Sequence, residues 1–178
     1  MSAPRLSGPR VALVPVPRAV ARAVADATDP GPALAGVGLT AAAGWPHGDS
    51  GDALRPLADH GDGAGAGGTW LVVEGDRVVG ECGWRGAPGA DGAVEVGYGL
   101  AAPSRGSGLG TEAVAVLCAW AERQPGVRLV TAEVLPGNEA SLRLLARLGF
   151  VESGSHPPYL RLVRPSPGAP RPRGRHVC

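Results

Sequence analysis

The chain has 178 residues, of which 44% are hydrophobic, so it is long enough for one domain with a substantial core, predicted over residues 1–163. Its formal net charge of +1, from 17 basic and 16 acidic residues, gives no overall basic field, so nucleic acid is not an expected partner. The three cysteines lack the spacing of a disulfide framework or a metal site, and no apolar leader or membrane span is present. We therefore expect a cytoplasmic protein without metal or membrane.

The first predicted elements are a strand and a helix. The valine-rich run Val11–Val16 ends before a proline and predicts a strand, and the alanine-rich run Arg18–Ala27 has helical spacing. One or two helical turns are expected at Ala53–His60, inside a region otherwise rich in glycine and proline. Residues 61–68 are mostly glycine and alanine, which predicts a loop.

Three strands are predicted in the middle of the chain. Thr69–Glu74 and Arg77–Arg85 flank Gly75-Asp76, a two-residue connection that favours a hairpin of antiparallel strands. Ala93–Ala101 alternates between bulky and small or charged residues and predicts a strand with one nearly bare face. The bulky face carries Val94, Val96, Tyr98 and Leu100, and the other carries Glu95, Gly97 and Gly99.

The second half of the chain alternates helices and strands. A helix with apolar residues at three- and four-residue spacing starts at Gly108 and ends near Pro125, and a second helix is capped by Asn138 and stops at Gly149. Strands are predicted at Arg128–Leu135 and Tyr159–Val163, and the proline- and arginine-rich residues 164–178 are expected to form a disordered tail.

The segment Arg105–Gly110 joins a strand to a helix. Backbone N–H groups converge at such a helix start, where the helix dipole is positive, and together they form an anion site. Gly106, Gly108 and Gly110 let the backbone approach phosphates closely, and Arg105 adds positive charge. The segment therefore predicts a diphosphate site, although on its own it is equally typical of a plain glycine-rich turn.

Two segments together resemble a known family. Arg105-Gly106-Ser107-Gly108-Leu109-Gly110 resembles the Arg/Gln-x-x-Gly-x-Gly/Ala signature of the GNAT acetyltransferases, and the strand Glu95–Leu100 precedes it as in that family. Asn138–Ser141, running to Gly149-Phe150, is similar to the family's Asn-x-x-Ala/Ser helix. Glu95–Tyr98 combined with Gly110–Ala113 looks most like the subgroup that contains the ribosomal-protein alanine N-acetyltransferases.

This resemblance implies an α/β (α+β) fold with a mixed, mostly antiparallel sheet, flanked by helices and splayed between the fourth and fifth strands. Acetyl-CoA would lie in that cleft as co-substrate, with its pantetheine arm along the backbone near Leu100 and beside Asn138, and the Leu100 N–H would stabilise the oxyanion. The implied cofactor-binding residues are Leu100, Ala102, Arg105, Gly106, Ser107, Gly108, Leu109, Gly110, Thr111 and Asn138.

The catalytic groups are less sharply indicated. An amine must lose its proton to attack, so a carboxylate, or a water held by one, should accept it, and the candidates are Glu95, preferred here, and Glu81. Either carboxylate is also compatible with a solvated strand residue on the outer face. Many family members carry a Tyr at the position of Leu145 to protonate the thiolate, which leaves Ser141 as a candidate, although a serine there is more typical of a helix cap.

The implied reaction is acetyl transfer to a primary amine, either a protein N-terminus or a small-molecule amine. Trp45, His47, Asp49 and Asp52 form a polar cluster where family members build acceptor specificity. Two other functions stay open: a catalytically weak acyl-CoA-binding module, and a ribosome- or RNA-associated protein that uses the arginine tail. A homodimer is common in the family, and neither the acceptor nor the acyl-chain preference can be identified from the sequence.

Overall fold

The computed structural model describes residues 3–60 and 68–165. Within these ranges nine strands and five helices are present. The strands are β1 Leu6–Ser7, β2 Val11–Pro15, β3 Thr40–Ala41, β4 Gly68–Glu74, β5 Arg77–Arg85, β6 Ala93–Leu100, β7 Leu129–Val134, β8 Val151–His156 and β9 Tyr159–Pro165. The helices are α1 Arg18–Ala25, α2 Gly31–Ala35, α3 Ser50–His60, α4 Leu109–Ala121 and α5 Glu139–Arg147.

All nine strands join one sheet in the order β1-β2-β4-β5-β6-β7-β9-β8, with β3 added beside β5. Only the β6–β7 and β3–β5 pairs are parallel, so the sheet is mostly antiparallel, as the resemblance implies. The β4–β5 hairpin around Gly75 is confirmed, and the glycine adopts φ +64°, the left-handed conformation that such turns need.

Helices pack on both faces of the sheet. Neighbouring residues of a strand point to opposite faces, so one strand contributes side chains to both cores. In β4, Trp70 and Val72 belong to the core shared with α4 and α5, whereas Leu71 and Val73 belong to the core shared with α1 and α3. Both cores contain fully buried residues, so β4 and β5 have no solvent face over most of their length.

The sheet opens between β6 and β7. These parallel strands pair over only three residues, from Ala93 beside Leu129 to Glu95 beside Thr131. Beyond that point they diverge, while β6 stays paired with β5 as far as Leu100. β1 and β3 are short strands that the sequence did not predict, so β6 and β7 are the fourth and fifth of the predicted strands. The splay expected between those two strands is therefore confirmed.

Several element boundaries differ from the prediction. Helix α3 starts at Ser50, three residues earlier than expected, and strand β8 was not predicted because all six of its residues are exposed and lack hydrophobic alternation. Strand β9 continues to Pro165, so the predicted tail boundary after residue 163 is two residues early. Arg164 pairs with Val130 in the sheet, and its Nε lies 3.0 Å from Glu122 Oε1.

Two predicted segments lie outside the described residues. These are the loop at 61–68, except for Gly68 in β4, and the tail from residue 166 onward. Within 3–60 and 68–165, no helix combines the length and the apolar character that crossing a membrane requires.

Candidate active site

The turn after β6 leads into the start of α4 and is open to solvent. Gly106 and Gly108 adopt φ +79° and +87°, which residues with a Cβ rarely tolerate, and Arg105 to Gly108 are exposed. Gly108 is the residue before α4, and no side chain of the described residues caps the helix there. The first backbone N–H groups of α4 are therefore free to bind an anion.

A second arginine, not predicted from the sequence, contacts this turn. Arg10 Nη1 donates to the Ser107 carbonyl at 3.0 Å, and a Cβ at Gly108 would lie 3.2 Å from Arg10 Nη2. Glu112, in the first turns of α4, accepts from the backbone N–H of Arg10 at 2.6 Å and of Val11 at 2.9 Å. Its other oxygen accepts from Arg10 Nε at 3.1 Å, so Glu112 fixes the guanidinium beside the turn.

The ionisation of Glu112 follows from these contacts. Burial acts to raise the pKa of Glu112, but the two backbone N–H donors and the Arg10 guanidinium outweigh it and lower the pKa overall. The carboxylate therefore stays charged at neutral pH and keeps Arg10 in place.

The last residue of β6 points its backbone polar groups into the opening. Ala101 N–H donates to the Val79 carbonyl at 2.9 Å, so by the alternation of an antiparallel pair the N–H and C=O of Leu100 face away from β5. Arg105 Nε donates to the Leu100 carbonyl at 2.8 Å, which ties the turn to the strand. The Leu100 N–H, predicted as the oxyanion donor, thus faces the side where β6 and β7 separate.

The other predicted cofactor-binding residues surround the same turn. Ala102 begins a short 3₁₀ turn to Ser104, Leu109 is buried, and Thr111 lies half-buried in the first turn of α4. A Cβ at Gly110 would lie 3.2 Å from Leu100 Cδ1 and 3.3 Å from Leu144 Cδ1, so glycine permits α4 to approach both β6 and α5.

The start of α5 lies across the opening from β6. Asn138 Oδ1 accepts from the Ser141 N–H at 3.2 Å, which confirms the predicted cap and leaves the amide NH₂ of Asn138 unused by that bond. The Tyr98 hydroxyl is buried and makes no hydrogen bond of ordinary geometry to the described residues. Burial raises the pKa of Tyr98, and interaction with the Ser141 hydroxyl opposes part of that rise.

The two candidate carboxylates have different surroundings on the same face of the sheet. Glu81 is paired with Gly99 near the end of β6, and it is 3% exposed. Trp45 Nε1 donates to one of its oxygens at 2.7 Å, and the Ser50 hydroxyl contacts both at 3.1 Å. His47 Nε2 lies 2.8 Å from its other oxygen.

Burial dominates the ionisation of Glu81. It raises the pKa of Glu81 above the ordinary value, and the charge of Asp49 adds to the rise. The Trp45 N–H, His47 and the Ser50 hydroxyl act in the opposite direction without cancelling the effect.

Glu95 lies at the other end of β6. It is paired with Arg85 of β5 and with Thr131 of β7, at the last position before the strands separate. Its carboxylate lies 3.9 Å from Arg85 Nη1, and the side chain is 36% exposed. Between the two carboxylates Gly97 is exposed, and a Cβ there would meet nothing within 4 Å, so this face leaves open space above the strand.

The polar cluster predicted at 45–52 divides in the structure. Trp45 and His47 contact Glu81, whereas Asp49 and Asp52 are exposed at the start of α3. Arg10, Ser50 and Tyr98 were not predicted as site residues from the sequence. Arg10 is one of 17 arginines without distinctive spacing, and Ser50 is separated from Glu81 by 31 residues, so only the fold brings them to the site.

The comparison that decides the family is with domain models. The model described as "Acetyltransferase (GNAT) domain" matches residues 19–151, about three quarters of the chain. The chain belongs to the GNAT acetyltransferase family. As a GNAT protein it is an acetyl-CoA-dependent N-acetyltransferase.

Individual relatives agree with this membership. The uncharacterized N-acetyltransferase YjdG of Bacillus subtilis is 30% identical over 112 residues, which cover 60% of this chain and 67% of that protein. The uncharacterized N-acetyltransferase p20 of Bacillus licheniformis is 33% identical over 84 residues, 47% of each chain. The match therefore spans about half the length of the second relative.

Solved structures share the GNAT fold over nearly the whole chain. The ribosomal-protein-S5-alanine acetyltransferase of Vibrio fischeri superposes with a TM-score of 0.64 and 16% identity, covering 93% of this chain and 98% of that one. Mycobacterium smegmatis RimJ, solved with CoA-disulfide, superposes with a TM-score of 0.61 and 21% identity, covering 93% and 88%. Ribosomal-protein alanine acetyltransferases are thus among the structural neighbours of this GNAT chain.

Proposed function

We propose that this GNAT protein transfers the acetyl group of acetyl-CoA to a primary amine by direct attack within a ternary complex. The observation that carries the proposal is that the uncapped start of α4 lies beside the opening between β6 and β7. A cofactor with a diphosphate and an extended arm needs these two features side by side. The start of the helix binds the negative charge of the diphosphate, and the opening admits the arm between the strands.

The residues at this place fit coenzyme A. Gly106, Gly108 and the first N–H groups of α4 would bind the diphosphate, with Arg10 and Arg105 adding positive charge at its rim. The backbone of Leu100 and Ala102 and the free amide NH₂ of Asn138 would hold the pantetheine arm. The bound cofactor supplies the acetyl thioester, and the protein contributes position, an oxyanion donor at Leu100 N–H and proton transfer.

The acceptor would approach the face that carries Gly97 and Gly99. Space above Gly97 is open, and Glu81 with its partners lies at the end of this face nearest Leu100. Glu81 therefore replaces Glu95 as the preferred carboxylate, because Glu95 lies at the far end of β6, where β6 is still paired with β7 and the sheet is closed. An N-terminal α-amino group is the first acceptor to test, since ribosomal-protein alanine acetyltransferases share the fold.

Proton return to the thiolate would come from the opposite side of the opening. Leu145 is fully buried in the core and cannot donate, whereas Tyr98 and Ser141 bring two hydroxyls together between β6 and α5. The Tyr98 phenol carries its proton at neutral pH even at the ordinary pKa of tyrosine, about 10, and burial raises the pKa of Tyr98 further. Ser141 would orient that phenol or donate itself.

We expect Tyr98→Phe to lower kcat about tenfold with little change in the KM for acetyl-CoA, because the ring still packs while its proton is lost. Ser141→Ala should lower kcat less. Steady-state thiol release measures both effects. An unchanged kcat in Tyr98→Phe would remove the phenol from the mechanism.

The proposed function is tested by amine-dependent thiol release. Purified protein and acetyl-CoA are combined with an alanine-starting peptide, spermidine or kanamycin, and the same peptide with a blocked N-terminus is the matched control. A mass increase of one acetyl group on an acceptor supports the proposal. Tight coenzyme A binding without thiol release for any amine would instead favour a catalytically weak acyl-CoA-binding module.

The arginine tail provides a separate arm of this test. Residues 166–178 lie outside the described residues, so the ribosome- or RNA-associated alternative rests on sequence alone. Deleting residues 166–178 should leave coenzyme A affinity unchanged, since no residue assigned to the site lies there. Salt-dependent retention on RNA that disappears with the deletion would support the alternative.

A further inference from the structure

An imidazole separates the buried Glu81 from the acceptor face. His47 Nε2 lies 2.8 Å from Glu81 Oε1, and the exposed fraction of the two side chains is 12% for His47 and 4% for Glu81. A Cβ at Gly99 would lie 2.4 Å from His47 Cε1 and 2.6 Å from Nε2, so the ring rests directly on the backbone of β6. Of the two side chains, the imidazole is the more exposed and lies closer to the position of a Gly99 Cβ, which would be 3.3 Å from Glu81 Oε1.

The backbone of His47 is fixed by reciprocal hydrogen bonds at the start of α3. His47 N–H donates to the Ser50 hydroxyl at 3.0 Å, and Ser50 N–H donates to the His47 carbonyl at 3.0 Å. Ser50 and Trp45 also bind Glu81, so the carboxylate and the imidazole are held by the same loop. Such support keeps a reacting group in a productive geometry.

The neighbouring carboxylate determines which nitrogen of His47 is basic. His47 Nε2 and Glu81 Oε1 lie 2.8 Å apart without an aligned hydrogen bond among the described residues. An ionised carboxylate can only accept hydrogen bonds, so its charge favours the tautomer with the proton on Nε2. The lone pair is then on Nδ1. A carboxylate holds the histidine of hydrolytic triads in its reactive tautomer in the same manner.

Resting on the proposed function, we propose that His47 is the catalytic base of the acetyl transfer and that Glu81 is its positioning residue. The amine lone pair forms the C–N bond to the thioester carbonyl carbon, and the C–S bond breaks with its electron pair on sulfur. The amine proton moves to His47 Nδ1, and His47 later returns it to solvent. The charged group beside the ring is Glu81 of β5, which is itself influenced by the charge of Asp49 from the loop, while Gly99 of β6 contributes no side chain.

Two variants test the base in different ways. His47→Ala removes the imidazole, and Gly99→Ala keeps it but pushes a methyl group against the ring. Both should lower kcat/KM for the amine, His47→Ala by about 10²–10³-fold, with coenzyme A affinity within twofold of wild type. Matched controls are His60→Ala, at the exposed end of α3, and Gly48→Ala, where a Cβ would meet nothing within 4 Å in the same loop. Neither control should change turnover.

Two readouts separate a base from a purely structural histidine. Added imidazole should restore part of the turnover of His47→Ala. In the same variant, the ascending limb of the plot of kcat/KM against pH should report the ionisation of the amine alone. Long-range ¹H–¹⁵N spectra of the full chain should show the proton of His47 on Nε2, and in Glu81→Gln a shift towards Nδ1–H, because the amide can donate to Nε2.

The outcomes distinguish this inference from the proposed function. If wild type releases no thiol with any amine, both are overturned. If wild type turns over but His47→Ala keeps the wild-type rate, or loses activity without imidazole rescue and with an unchanged pH limb, only the assignment of His47 is wrong. A proton on Nδ1 in wild type would also overturn it.

Discussion

The site combines two regions that are built in opposite ways. The turn Arg105–Gly110 is continuous in sequence and exposed over residues 105–108, and in the proposed function its backbone N–H groups would bind the diphosphate. The cluster around Glu81 is buried, and its side chains come from β5 and from the loop and first residue of α3, more than 30 residues apart in sequence. The first region is suited to bind a charged cofactor, and the second is suited to move a proton.

This difference implies that binding and chemistry can be damaged separately. In the proposed function the turn would set the affinity for coenzyme A through a backbone geometry that any side chain at a left-handed glycine would disturb. In the proposed mechanism the cluster would set turnover through ionisation and tautomer, which a near-isosteric substitution changes without altering shape. Variants in the turn should therefore act on the Kd for coenzyme A, and variants in the cluster should act on kcat.

The largest effect is expected from Glu81→Gln. The amide can no longer hold His47 in the reactive tautomer, so kcat should fall about 10²–10³-fold while the Kd for coenzyme A stays constant. Parallel measurements of thiol release and of calorimetric binding check this separation. A matching loss of affinity would show that the two regions are not independent.

The same variant also tests how the buried carboxylate affects stability. Since burial raises the pKa of Glu81, the folded chain binds this proton more tightly than the unfolded chain does, and the carboxylate costs stability as pH rises through that window. Glu81→Gln should therefore have a Tm at or above that of wild type at neutral and alkaline pH. The difference should disappear once the pH is below the ordinary pKa of glutamate.

The next largest effect is expected in the turn. Gly108→Val forces a β-branched residue into φ +87° and places a side chain where a phosphate would bind, so the Kd for coenzyme A should rise at least about 30-fold. Gly38→Val is the control, because Gly38 has φ +73° but lies in the loop before β3. It should lower the Tm to a similar degree without changing the Kd.

The contrast also explains what the sequence could predict. The hairpin at Gly75, the helix after Gly108 and the cap at Asn138 depend on residues close together in the chain, and all three were predicted. Glu95, preferred from the sequence, and Glu81 were both placed on strands expected to border the cleft, and alternation assigns a face of a strand but not a position along it. Only the register of β5 with β6 places Glu81 beside Gly99 and Glu95 beside Arg85.

A moderate effect is expected from the arginine that sequence analysis missed. Arg10→Ala removes one partly exposed positive charge from the turn, so the Kd for coenzyme A should rise about three- to tenfold, and less at high salt. Glu112 keeps its bonds to the backbone N–H groups of residues 10 and 11, so the fold should persist. Arg22→Ala, on the exposed side of α1, should leave the Kd unchanged. An equal Kd in Arg10→Ala would exclude a role at the phosphates.

The smallest effect is expected from Glu95→Gln. Its carboxylate is partly exposed and lies 3.9 Å from Arg85, a weak ion pair that contributes little. We expect kcat and the Kd for coenzyme A to change less than about threefold, because the residue is paired at the closed end of the opening. Steady-state kinetics of Glu95→Gln and Glu81→Gln, measured in parallel, compare the same substitution at the two ends of one sheet face. A large loss of kcat in Glu95→Gln with intact turnover in Glu81→Gln would move the proton acceptor to the start of β6.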